Sequence, residues 1–158
     1  MRFLLLINFI LFPYFSYGNL NGTYLFCELT PEFSFKEKEV ENQNYVFFFF
    51  SEHYYEQKHV VKHVYSNKIV FTFETFNFGK YSFVNDKIKL VDNLIFREKR
   101  LKSELNRNTM ILKSNYKDKL LFEYFCEASD LIKIKQKSFE IIKKSKKFWK
   151  NKFKDNKM

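Results

Sequence analysis

At 158 residues, with 22 Phe and 10 Tyr but only 3 Gly and 2 Pro, the chain has apolar mass for one core and too little glycine for a phosphate-cradling loop. Its formal charge of +10 is uneven: residues 131–158 carry eleven Lys against Glu140 and Asp155, while residues 19–130 hold sixteen basic and sixteen acidic side chains. A neutral body with a basic appendage excludes the uniformly basic surface of a general nucleic-acid binder.

The first element in chain order is a leader over 1–18. Met1 and Arg2 supply a short positive region, and Phe3 to Phe12 are apolar apart from Asn8. Pro13 breaks the run, and Ser16 and Gly18 place small residues where a signal peptidase reads them. Cleavage is expected before Asn19, and the mature protein is expected to be exported, periplasmic or secreted. The apolar run is about half the roughly 20 residues that a spanning helix needs.

Residues 19–130 read as a mainly β domain, an antiparallel up-and-down barrel or sandwich of about eight to ten strands. Tyr24–Glu28 and Tyr45–Phe50 come first. The run Phe47-Phe48-Phe49-Phe50 is apolar on both faces, which suits a strand with the core on one side and a C-terminal helix on the other. Val60–Tyr65 and Val70–Glu74 flank a short polar break at Ser66-Asn67, as Tyr81–Val84 and Lys87–Leu90 flank Asn85-Asp86. Asn and Asp tolerate the positive φ of two-residue hairpin turns. Phe71 and Phe73 are odd-numbered whereas Phe76 and Phe78 are even, so a bulge is expected near Thr75. Asn106–Asn108 and Asn115–Asp118 bracket the strand Met110–Leu112, and Lys119–Glu127 closes the domain. Alternation places Phe71, Phe73, Ile88, Leu90, Phe122 and Tyr124 on apolar faces, and all six are expected in one core.

Cys27 falls in the first of these strands and Cys126 in the last. An exported chain with this pair is expected to bridge them, and an up-and-down barrel makes the two strands neighbours.

Leu20-Asn21-Gly22-Thr23-Tyr24 resembles the opening of lipocalins, in which a Gly, one residue and a Trp mark the start of the barrel; Tyr24 stands in the Trp position. Leu105–Thr109 with Phe122–Glu127 is similar to the ends of small uncharacterised exported bacterial proteins. The lipocalin resemblance implies a closed eight-stranded barrel, a helix alongside it and an apolar ligand in its mouth. Tyr24, Phe71, Phe73, Phe122, Tyr124 and Arg107 are the ligand or core candidates.

No G-x-S-x-G, C-x-x-C or H-E-x-x-H motif occurs, and no acid, base and nucleophile constellation points to an enzyme or to a cofactor. His53, His59 and His63 are the one cluster with ligand spacing. His59 and His63 share a face on a strand or a helix, but zinc would still need a third ligand, so no metal site is assigned. Arg97, Arg100 and Arg107 are the body's arginines in a chain that otherwise uses Lys. Pairing with Glu98, Glu104 or another carboxylate accounts for them more readily than ligand binding does. Asn21-Gly22-Thr23 is a glycosylation sequon, meaningful only in a eukaryotic secretory pathway.

Residues 131–158 are expected to be a basic amphipathic C-terminal helix or tail. Ile134, Ile141 and Phe148 recur every seven residues, with Ile142, Trp149 and Phe153 beside them. The helix either packs on the body or lies on an anionic membrane surface. In the second case Ile141, Phe148, Trp149 and Phe153 enter the lipid, and Lys143, Lys147 and Lys150 meet its headgroups. The function that follows is a non-enzymatic exported binding protein for a small apolar ligand or a protein partner. The alternative is a peripheral envelope protein with a structural role, held by its helix to an anionic membrane; nucleic acid is not an expected partner.

Overall fold

The computed structural model describes residues 20–34, 44–66, 68–92 and 102–155. The leader, Asn19, Arg97 and Arg100 lie outside the described residues, as does the side chain of Phe153. Eight antiparallel strands close into a barrel with each strand beside its sequence neighbours: β1 (Tyr24–Leu29), β2 (Tyr45–Phe50), β3 (Tyr54–Tyr65), β4 (Lys68–Val84), β5 (Lys87–Asp92), β6 (Lys102–Asn106), β7 (Ile111–Tyr116) and β8 (Lys119–Ser129). One helix, α1 (Leu131–Asp155), follows.

Local chemistry sets the corners. Asn85 takes φ 56° in the β4–β5 turn, and Lys117 and Asp118 take 47° and 63° between β7 and β8. Those left-handed values match the right-handed twist of the flanking strands. The register of β3 against β4 shifts between Gln57 and Lys58, whose partners are Asn77 and Thr75, so Phe76 is the extra residue of a bulge. The expected irregularity near Thr75 is thus present. The chain also forms one uninterrupted β4 of 17 residues where alternation marked out shorter pieces.

β1 pairs with β8 to close the barrel, and Cys27 lies directly opposite Cys126. Their sulfurs form the expected disulfide, 99 residues apart in sequence. Leu25, Cys27, Val46, Phe48, Phe50, Tyr55, Ile88, Leu90, Leu105, Leu112 and Cys126 pack together inside the barrel, with Tyr81, Phe83 and Tyr124 against them. Phe50 and Tyr81 meet edge to face at 5.3 Å.

A second apolar layer lies outside the wall. Phe26, Phe47, Val60 and Phe71 pack with Ile134 and Ile141 of α1, and Tyr24, Phe49, Phe73, Ile142 and Trp149 border them. The expectation of one core is therefore corrected: Ile88, Leu90 and Tyr124 face the interior, whereas Phe71 and Phe73 face the helix. Alternation reports which residues share a face; on a strand that is apolar toward both sides it does not report which face is inside. The four-phenylalanine run divides as expected, with Phe48 and Phe50 inward and Phe47 and Phe49 toward the helix layer.

Asp130 starts α1 by accepting a hydrogen bond from the Lys133 amide through Oδ1 at 2.8 Å, an N-cap. The helix buries Ile134, Ser138 and Ile141, a spacing of four and three that defines one stripe. Lysine stems help to seal its edges, for Lys137 Nζ sits 4.9 Å from the Phe26 ring and Lys62 Nζ 3.9 Å from Trp149. The helix belongs to the fold. That corrects Ile141 and Trp149 as lipid-facing residues, because both turn toward the barrel.

Candidate functional site

The two ends of the barrel differ. At the end holding the β4–β5 and β6–β7 turns, Leu20 is buried and its amide lies 3.4 Å from the Tyr81 hydroxyl. That hydroxyl is also 2.9 Å from the Ser51 carbonyl and 3.0 Å from that of Glu52. Gly22 donates to Phe50 O, and Phe50 donates back to Thr23 O. Residues 20–23 and 51–54 thus close this end over an aromatic interior. Arg107, a ligand candidate from sequence, stands here with its guanidinium 5.5 Å from the Phe83 ring, far along the strands from the opposite mouth.

Toward the other end the interior becomes polar. Tyr55 and Gly79 are register partners, with the Tyr55 ring buried in the interior. Two residues further along each strand, alternation turns Gln57 and Asn77 inward as well, and they are also partners. The same step from Leu105 and Leu112 brings Ser103 and Ser114 opposite each other, with their hydroxyl oxygens 2.9 Å apart. Phe122 and Tyr124 enter from β8, their rings 6.3 Å apart.

Gln57 donates from Nε2 to His59 Nε2 at 2.7 Å, which leaves the His59 proton on Nδ1. The bulged Phe76 stands edge-on to the His59 ring at 4.8 Å. Burial pushes the His59 pKa down to about 4 and that of Tyr124 up to about 12. Both are therefore neutral near pH 7, and the amide, imidazole, hydroxyl and phenol groups named here are uncharged and lie among aromatic rings. Among the described residues two buried side-chain oxygens lack a hydrogen-bond partner, Thr30 Oγ1 and Asn77 Oδ1, and of these Asn77 lies on the inward face at 4 % exposure.

No protein family, curated protein or solved structure matches this chain.

Of the ligand candidates read from sequence, Phe122 and Tyr124 do line this interior. Tyr24, Phe71 and Phe73 do not; Tyr24 packs edge-to-face on Phe49 at 5.3 Å and Phe73 on Phe47 at 5.0 Å, both in the helix layer. The histidines do not converge. His63 Nε2 lies 2.9 Å from both Thr72 Oγ1 and Glu74 Oε1, whereas His59 Nε2 takes its hydrogen bond from Gln57, although Glu74 is the register partner of His59. Hydrogen bonds from Thr72 and then His63 hold the Glu74 carboxyl below its ordinary range. Among the described residues no three His, Cys, Asp or Glu side chains are grouped to hold a metal ion. On the helix, Phe148 is half-buried against Trp149, while Lys143, Lys147 and Lys150 are exposed.

Gln57, Asn77, Ser103 and Ser114 were not singled out by sequence reasoning. One signal was available: Asn77 shares its alternation with Gly79 and Tyr81, so a polar side chain sits on the inward parity of β4.

Proposed function

We propose that this is an exported, non-enzymatic binding protein, lipocalin-like in action, that holds a small uncharged and largely apolar molecule at the polar end of the barrel interior. The observation that carries the reading is Asn77. A buried acceptor without a partner costs about 1–3 kcal/mol, so a fold that keeps one loses stability unless a guest supplies the donor. Phe122 and Tyr124 would face the apolar body of that guest, and the neutral amide, imidazole and hydroxyl groups around Asn77 suit an uncharged molecule better than an ion, whose desolvation they would not offset. The disulfide fits an oxidising compartment, and no described helix is long and apolar enough to cross a membrane.

Aminoanthracene, a neutral apolar fluorophore with an N–H donor, is a suitable probe. Its emission should rise with the wild-type chain, and Asn77→Leu should weaken binding about tenfold, the loss of one buried hydrogen bond, while leaving the fold intact or more stable. Absence of enhancement with wild type, or equal affinity for the variant, refutes the reading.

A further inference from the structure

The helix has a second face that the barrel does not use. At 100° per residue, steps of seven, four, three and four from Ile132 lead to Phe139, Lys143, Lys146 and Lys150 along one line, opposite the buried stripe of Ile134, Ser138 and Ile141. All five are exposed, Ile132 at 70 % and Phe139 at 67 %. Lys147 borders the same line. Among the helix side chains described, Glu140 is the one acid. Lys137 and Lys152 do not belong to this face, since they lie over the rings of Phe26 and Trp149.

We propose that this outward face docks the protein on an anionic lipid surface, with Ile132 and Phe139 entering the headgroup layer and Lys143, Lys146 and Lys150 lying along it. Charge complementarity supplies one half of the argument: the positive charge is gathered on one helix while the barrel segment is neutral. The exposed apolar pair supplies the other half. Two large apolar side chains at one end of a lysine row gain nothing from a nucleic-acid backbone, but they gain burial at an interface where charge and apolar insertion act together. The row contains lysine and no arginine, which suits a diffuse layer of headgroups better than bidentate recognition of single phosphates. The surface differs from the apolar stripe that sequence periodicity suggests for lipid contact, because that stripe is occupied by the barrel. The helix can therefore hold the membrane without leaving the fold.

The test uses a chain starting at Asn19, which retains every described strand and the helix. It is sedimented with vesicles of phosphatidylcholine alone or doped with phosphatidylserine, and its binding to duplex DNA is measured in parallel. Binding should require phosphatidylserine and fall with added salt. At about fivefold per lysine, K143Q/K146Q/K150Q should lower vesicle affinity on the order of 100-fold. I132Q/F139Q should lower it about tenfold and leave DNA binding unchanged, and Lys119→Gln at the exposed start of β8 should change neither. All variants alter exposed positions, and circular dichroism checks that they fold. The proposal is overturned if phosphatidylserine makes no difference, or if I132Q/F139Q binds the doped vesicles as well as wild type does, in which case the face is a nonspecific polyanion binder.

Discussion

Ile132 and Ile134 are two residues apart on the same helix, yet the fold gives them opposite fates. Ile134 is fully buried between α1 and the barrel wall, whereas Ile132 is 70 % exposed. Ile134→Ala removes three carbons, about 2.4 kcal/mol at roughly 0.8 kcal/mol each. The cavity left among Phe26, Phe47, Val60 and Phe71 brings the total to about 3–4 kcal/mol. Ile132→Ala removes the same atoms from water and should shift stability by less than about 0.5 kcal/mol, with a slight gain from better helix propensity. Urea unfolding followed at Trp149 reads this layer directly, since the chain has one tryptophan and it borders the same cluster. Equal losses in the two variants, or a loss below about 1 kcal/mol for Ile134→Ala, would mean that the helix does not pack by this face.

Three further outcomes follow from the geometry. Replacing Cys27 and Cys126 by alanine removes a cross-link spanning 99 residues and should lower stability by up to about 4.7 kcal/mol in denaturant titrations, with a steeper denaturant dependence as the unfolded chain expands; unchanged stability would mean the seam holds without it. Because the folded His59 pKa, about 4, lies below its unfolded value near 6.5, the unfolded chain binds more protons between those limits. This contribution to stability is complete above about pH 6.5 and is lost as pH falls toward 4. An NMR titration finding the His59 ring charged at pH 6 refutes it, and His59→Gln should flatten that part of the pH profile. Gly79→Ala should destabilise by at least about 2 kcal/mol, since the added carbon would overlap the Val91 carbonyl oxygen and crowd the Tyr55 ring, and backbone cannot yield as a side chain can; a change below about 0.5 kcal/mol in thermal melts would contradict the close approach of β4 and β5.

Much of the fold was legible because its signals are local. Asn85 marks a turn through its own backbone preference, and the helix stripe announces itself at Ile134 and Ile141. The cysteine pair joins first strand to last. What escaped was relational. Phe71 and Ile88 look equivalent by alternation, and only the path of α1 across the wall decides that one faces the helix and the other the interior. The candidate site was harder still. Gln57, Asn77, Ser103 and Ser114 are ordinary polar strand residues, and their inward direction follows from register against Tyr55, Leu105 and Leu112. The strand β6 was not marked out at all, for Lys-Ser-Glu-Leu-Asn carries one apolar side chain and depends on its neighbours for its shape.

Closure of the barrel by β1 and β8 also constrains the order in which the molecule can be made. A chain delivered N-terminus first can pair β1 with β2 early, but the other edge of β1 has no partner until Lys119–Ser129 arrives. For that interval Leu25 and Phe26 sit on an open strand edge, the state most prone to join a neighbouring chain. Such distant pairing is slow, because the loop entropy is lost before the contact is gained. Oxidation then has one outcome within a chain that holds two cysteines: no scrambled isomer exists to be repaired. Formation of the bond within a single chain thus dates the arrival of the last strand, and a time course of thiol loss during synthesis or refolding would time the closing of the barrel itself.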